Sequence, residues 1–393
     1  MAAAFFIEAG DTEKIAPVGS FQSMNQEIIA RQKKAMAERG LDALISISPE
    51  NVTYTTGIVV PSQSLMRWRH AICVVTADGR TAMVVIDMEE TTVRGIGGVR
   101  DLKVYREFTE DPMDKLCELL SDLKLKQAKI GIEMEYLPAK DLMTLQRELP
   151  GAAFVAADGI FNDLRMVKTQ DEITLLRSLS KITDRAIGGA LKSAHAGMTE
   201  MDLAGLLLSG LFAAGAENFK LMIIATGERS QYPNVGPTQR VIKNGDIIRM
   251  EIFGVQKGYH AGVCRTAAVG EATAEQKKIW ANLIECKYRV MDLIKPGANS
   301  KAIYRSFLQK FTELGFEPIS FVGHGIGLFL HEEPYLGRYG DKTLEEDMVL
   351  AIEPLVFIPG RFGMQNKDMI AVTKSGCELI SDSTPTDELI RVS

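Results

Sequence analysis

At 393 residues the chain is long enough for two domains and a large buried core. Its 46% hydrophobic and 24% charged residues are those of a soluble globular protein. A net charge of −6 argues against a general polyanion binder, which would carry a basic face, so nucleic acid is not an expected partner.

The chain opens with MAAAFFIEAGD, which lacks a basic leader, and no apolar run reaches the length of a membrane span. Neither a signal peptide nor a membrane partner is expected. Residues 23–39 have the period of an amphipathic helix stopped at Gly40, and LDALISIS follows as a strand. HAICVVTADGRTAMVVID reads as a hairpin around Asp78-Gly79. A helix near 112–123, the strand AKIGIE and a helix near 138–148 complete an α/β domain, assigned to residues 1–165. From residue 166 to 393 the texture changes. Thr169 and Glu172 are spaced as a capping box, and further helices are expected from Thr199-x-x-Asp202, from Thr273-x-x-Gln276 and up to Gly315. LMIIATG, DIIRMEIFG, GYHAGVCRTAAVG, MVLAIEPLVF and DMIAVT are expected strands, which makes this second domain antiparallel-rich α+β. The five cysteines, Cys73, Cys117, Cys264, Cys286 and Cys377, are scattered with no CxxC pair. They form neither a disulfide framework nor a thiolate zinc site, which suits a reducing cytoplasm.

Four polar residues break the apolar pattern. Glu251 interrupts IIRMEIFG, Glu353 stands in LAIEPLVF, His324 sits between glycines in VGHGIG, and His331 follows in LHEEP. A carboxylate in an apolar strand is costly without a cation, a metal or hydrogen-bond donors, so the acids are expected to face one another across a cavity. The bland alternative is a pair of edge-strand acids facing water.

With NVTYTTG, VIKNGDIIRMEIFGVQKGYHAGVCRTAAVG, KPGA, GHGIGLFLHEEP, LAIEPLVF and DMIAVT in this order, the sequence resembles the pita-bread superfamily of creatinase, prolidase, aminopeptidase P and methionine aminopeptidase. The resemblance covers nearly the whole chain and implies a creatinase-like N-terminal domain followed by a pita-bread domain. In metal-dependent members two aspartates, a histidine and two glutamates hold two divalent ions. Those positions fall here on Glu251, Gly262, His324, Glu353 and Lys367. One ligand is thus lost and another replaced by a cation, so a two-metal centre is not expected and no cofactor is assigned.

The pattern most resembles creatinase, which needs no metal. It implies a homodimer and a small carboxylate-bearing substrate, with Arg69 reaching from the partner subunit and Arg338 as a second carboxylate fork. Two departures count against guanidinium hydrolysis: creatinase's proton-carrying histidine falls on Asn234, and its cradling glutamate on Cys264. The leading expectation is therefore a metal-independent, creatinase-like hydrolase of a C–N bond in an amide, amidine, carbamoyl or cyclic amide substrate. His324 or His331 would serve as base with Glu353 as its partner; alternatively Cys264 would attack, activated by a histidine and by Lys367 or Arg265. Glu251, Tyr259 and Lys367 would contact substrate. Two alternatives stand beside this: an Xaa-Pro-type dipeptidase or aminopeptidase with one ion on Glu251, His324 and Glu353, and a non-catalytic binding module.

Overall fold

The computed structural model describes residues 21–393 apart from residues 67, 97, 98 and 100. The MAAAFFIEAGD start lies outside the described residues. The chain divides between Asp171 and Glu172 into two compact units, whereas the change in sequence texture had suggested a junction near residue 165.

In the N-terminal unit the helix Phe21–Arg39 ends at Gly40, whose φ of 60° turns the chain into β1 (Ala43–Ser46). The NVTYTTG segment forms most of a helix, Pro49–Thr56. Ser48 caps its first turn and Gly57, at φ 71°, closes its last. β2 (Ile72–Thr76) and β3 (Thr81–Ile86) make the expected hairpin, with Gly79 at φ 94°. Two strands had not been foreseen, β4 (Asp101–Tyr105) and β6 (Ala153–Ala156); β5 is Lys129–Ile132. The sheet runs β4-β3-β2-β1-β5-β6, with β1 parallel to β5 and antiparallel to β2. Ile45, Ile72, Val84 and Ile130 bury completely against Leu116, Leu120 and Leu145 of the helices Pro112–Asp122 and Ala139–Glu148.

The C-terminal unit pairs helices with antiparallel sheets, as the sequence pattern implied. The helix Gln170–Lys192 precedes Glu200–Ala213, and Ala274–Leu293 precedes Ser300–Glu313. Thr199–Asp202 and Thr273–Gln276 form complete capping boxes. β7 (Asn218–Thr226), β8 (Ile247–Gln256) and β9 (Tyr259–Val269) make an antiparallel ribbon sheet. β10 (Phe321–Gly325), β11 (Glu332–Gly337), β12 (Val349–Ile352), β15 (Asp368–Val372) and β16 (Cys377–Leu379) make a second sheet, ordered β11-β10-β12-β15-β16. MVLAIEPLVF proves to be two strands. Pro354 has no N–H to donate, so the ladder breaks after Ile352, and β13 (Leu355–Ile358) turns away to pair with β14 (Phe362–Gln365). Glu353 stands at the break, its N–H still donating to the Val322 carbonyl of β10 at 2.8 Å. A last strand, β17 (Ile390–Val392), adds parallel to β9.

Two backbone bonds join the main sheets beside the site. Cys264 donates its N–H to the Lys367 carbonyl and Lys367 donates to the Cys264 carbonyl, both at 3.1 Å. The start of β15 is thereby laid against the middle of β9. Among the described residues no helix is long and apolar enough to cross a membrane.

Candidate active site

Strand alternation builds one wall of the site. Arg249, Glu251 and Phe253 are two residues apart on β8 and share a face, directly opposite Thr266, Cys264 and Gly262 on β9. The second sheet brings His324 from β10, Glu353 from the break after β12, and Lys367 from the turn before β15. The glycines around His324 are steric necessities. A Cβ at position 323 would stand 2.7 Å from the Ala351 carbonyl oxygen, and one at 325 would collide with the backbone of Glu333. A cavity of about 510 Å3 opens over these groups, lined by Arg249, Glu251, His331, Glu353 and Lys367 together with Asn234. Phe321, Leu355 and Phe357 supply apolar faces.

The Lys367 ammonium is held between two carboxylates, 3.0 Å from Glu251 Oε1 and 3.1 Å from Glu353 Oε2, with all three side chains buried. Burial alone would lower the lysine's pKa, but the two acids outweigh it and push it up to about 12. Burial likewise opposes charge on Glu353, yet Lys367, His324 and His331 outweigh it and hold the carboxyl well below the usual range. Gln365 Nε2 donates to Glu353 Oε2 at 3.1 Å, while its Oε1 accepts from Arg249 at 3.1 Å.

The other oxygen of Glu353 differs. His324 Nδ1 lies 2.8 Å from the Gly325 carbonyl, to which it donates, so Nε2 is the ring nitrogen turned toward Glu353. That Nε2 stands 3.1 Å from Glu353 Oε1 without hydrogen-bond alignment, and neither atom has another partner. His331 stacks on His324 with ring centroids 3.7 Å apart and planes 14° apart, and the edge of Phe321 packs against it. Burial, then His324 and Lys367, lower the pKa of His331 to about 4. Ligand atoms of His324, His331 and Glu353 all lie within 4.8 Å of one another.

Several sequence expectations are corrected. The Cys264 thiol is fully buried, donates weakly to the Gln365 carbonyl at 3.7 Å, and burial raises its pKa well above the ordinary value, the opposite of an activated nucleophile. Arg265 does not activate it, because its guanidinium is spent on Asp184 and Asp368. Gly262 leaves no room for substrate: the Phe253 ring fills the space a side chain there would occupy. Tyr259 is buried with its hydroxyl donating to Glu172 at 2.9 Å. Arg69 belongs to the N-terminal unit, where Glu107 receives both arms of its fork at 2.8 and 2.9 Å. Arg338 lines a neighbouring cavity with Lys301 and Arg305, which shares Ile319 and Ser320 with the cavity over the site. A single ion on Glu251, His324 and Glu353 is also not the set that converges, because Lys367 takes Glu251 and His331 stands in its place. Arg249, Phe253 and Gln365 had not been singled out. Arg249 and Phe253 were readable in principle as the same-face neighbours of Glu251; Gln365 carries no local signal.

Comparison with known proteins places this geometry. Residues 174–374 match the metallopeptidase family M24, and residues 29–167 match the creatinase/prolidase N-terminal domain; the chain belongs to this two-domain peptidase family. It is 29% identical over 367 residues to an Xaa-Pro dipeptidase of Pyrococcus furiosus, covering 91% of this chain and 98% of that protein. It is 29% identical over 359 residues to a probable dipeptidase PepE of Mycobacterium tuberculosis, covering 90% and 93%. Among solved structures, an Xaa-Pro dipeptidase from Bacillus anthracis superposes with a TM-score of 0.81 at 26% identity, over 93% of this chain and 99% of that one. An X-Pro aminopeptidase from Thermotoga maritima superposes with a TM-score of 0.82 at 25% identity, again over 93% and 99%. These likenesses overturn the metal-independent, creatinase-like expectation: the relatives are named as Xaa-Pro peptidases of a metallopeptidase family, which was the alternative reading.

Proposed function

We propose that the chain is an Xaa-Pro-type dipeptidase or aminopeptidase, hydrolysing the C–N amide bond of a dipeptide-sized substrate with one divalent ion. The observation that carries this reading is the approach of His324 Nε2 to Glu353 Oε1 at 3.1 Å, both atoms buried without an aligned hydrogen bond, directly behind the cavity that Glu353 and His331 line. His324 and Glu353 would supply donors to the ion, of the kinds that zinc, manganese or iron accepts, while His331, stacked on His324 with the planes 14° apart, does not aim its in-plane lone pair at the same ion. The family's two-ion arrangement does not fit, because Gly262 offers no ligand and the Lys367 ammonium occupies the space between Glu251 and Glu353.

When bound, such an ion polarises the amide carbonyl and makes a water nucleophilic at neutral pH. The chain's own residues prepare the rest. Gly325 sets the tautomer of His324, and Phe321 with His324 fixes the plane of His331. Lys367 and Gln365 anchor one oxygen of Glu353 so that the other stays aimed at His324. Arg249 offers a guanidinium that can fork onto a substrate carboxylate, and Phe321, Leu355 and Phe357 suit an apolar ring beside it. By family resemblance the reading extends to a cytoplasmic homodimer.

The test is release of free proline, measured by chromatography, from Ala-Pro, Met-Pro and a longer Xaa-Pro peptide. Full-length protein would be stripped with chelator and resupplied with manganese, cobalt or zinc. Proline release restored by at least one ion supports the reading. Absence of release under every ion, from protein whose fold is intact by circular dichroism, overturns it.

A further inference from the structure

We infer that the cavity neighbouring the site is an anion subsite, which receives a second carboxylate of the substrate, from an acidic side chain or from a residue beyond the dipeptide. The inference rests on the peptidase reading for the peptide itself and adds to it the class of peptide, an acidic one, that the chain prefers.

That cavity holds about 710 Å3 and carries three cations, Lys301, Arg305 and Arg338, with no aspartate or glutamate on its wall. Lys301 and Arg305 stand four residues apart on the helix Ser300–Glu313 and so share one face, together with Tyr304 and Leu308. Arg338 comes from the other side, just past the end of β11. Its charge reaches the Tyr304 hydroxyl, where it opposes the upward effect of burial on that group's pKa. Among the described residues none of the three cationic side chains has an ion-pair partner. Lys310, on another face of the same helix, is paired with Glu285 at 2.6 Å. Three like charges around one concavity repel one another, and an anion placed between them removes that repulsion. Two guanidinium groups among them present the forks that suit a carboxylate.

The two cavities meet at Ile319 and Ser320, which line both. The carbonyls of these two residues, which would repel an anion passing over them, are already engaged. The Tyr304 hydroxyl donates to the Ile319 carbonyl at 2.6 Å, and the Arg338 N–H donates to the Ser320 carbonyl at 3.0 Å. Within the catalytic cavity Lys367 is taken by Glu251 and Glu353, which leaves Arg249 for one substrate carboxylate there. A substrate held over Glu353 and His331 that extends past Ser320 brings a second carboxylate to the three cations.

The experiment is calorimetric titration of the full-length protein, with chelator present so that peptide is bound and not cleaved. Two pairs of peptides are compared: Glu-Pro against Gln-Pro for the side chain, and Ala-Pro-Glu against Ala-Pro-Gln for the extension. In at least one pair the acidic member should bind about tenfold tighter at roughly 20 mM salt, with a smaller margin at roughly 200 mM. The pair that shows the margin names the source of the carboxylate. Lys301→Gln, Arg305→Gln and Arg338→Gln combined should erase it, whereas Lys310→Gln should keep it. Should the triple variant fail to fold, Arg338→Gln alone decides by reducing the margin at least about twofold. A margin below about threefold in both pairs, or one that survives the folded variant, overturns the inference. The two proposals fail separately. A margin without proline release from metal-supplied protein sinks the peptidase reading and leaves the subsite standing; proline release without a margin does the reverse.

Discussion

Lys367 and Asp368 are neighbours at the start of one strand, yet they anchor two charge clusters of opposite character. Their side chains leave opposite faces of the strand. Lys367 points to the cavity and joins Glu251 and Glu353, beside the His324–Glu353 contact at 3.1 Å. Asp368 points into the protein, where Arg265 Nη2 lies at 2.8 Å and Lys287 Nζ at 2.9 Å. Arg265 extends that cluster to Asp184 at 3.0 Å, and Asp184 also receives the backbone N–H groups of Ser383 and Thr384. Both clusters are buried and ionic. What separates them is access: both clusters pair their charges within the protein, but only the outer one, through Glu251, Glu353 and Lys367, lines a cavity that a ligand can enter. A buried ion network by itself therefore says little about function, and the cavity beside it says more.

The largest effect should come from breaking the inner cluster. Asp368→Asn leaves Arg265 and Lys287 short of a counter-charge and should cost about 3–5 kcal/mol in urea unfolding. Equal stability of the variant and wild type would show that the two clusters do not differ as described. On the outer face, His324→Ala should lower kcat/KM at least about 100-fold, roughly 3 kcal/mol in the barrier, while the urea midpoint moves much less. An activity loss that merely tracks lost stability would place His324 in the structural group.

A smaller effect is expected with pH. His260 accepts no cavity role: its Nδ1 faces the Gly327 carbonyl at 3.1 Å, and burial, with Lys220 adding to it and Glu332 opposing, lowers its pKa to about 4. Because the unfolded chain takes up this proton near the ordinary 6.5 and the folded chain only near 4, this histidine makes stability fall as pH drops through that window and level off below it. His260→Gln should flatten the thermal-unfolding profile between these pH values without changing it above about pH 7. The smallest effect is expected at Cys264→Ser, which should keep kcat within about twofold, since the sealed thiol takes no part in the chemistry. Complete loss of turnover in a folded Cys264→Ser would return the thiol to the site.

Local signals carried far in this chain. Thr199 with Asp202 and Thr273 with Gln276 cap their helices because a capping box is complete within four residues. The hairpin at Asp78-Gly79 follows from turn chemistry that is equally local. His324, His331 and Glu353 were readable because each violates the pattern around it, and polar residues in apolar surroundings need a partner. The edge strands Asp101–Tyr105 and Ala153–Ala156 were not readable, being short and only half-buried, with little alternation to detect.

Order along the chain determined the family, the two domains and which side chains break their apolar context, because those depend on spacing and on neighbours a few residues away. Whether Cys264 is exposed and which acids Lys367 meets were decided only when distant strands were brought together, and that Phe253 fills the notch at Gly262 and that His331 rather than Glu251 joins His324 and Glu353 were decided by strand register and packing. Burial and charge pairing are properties of the assembled cavity, and through-space electrostatics at about 3 Å has no counterpart in sequence distance.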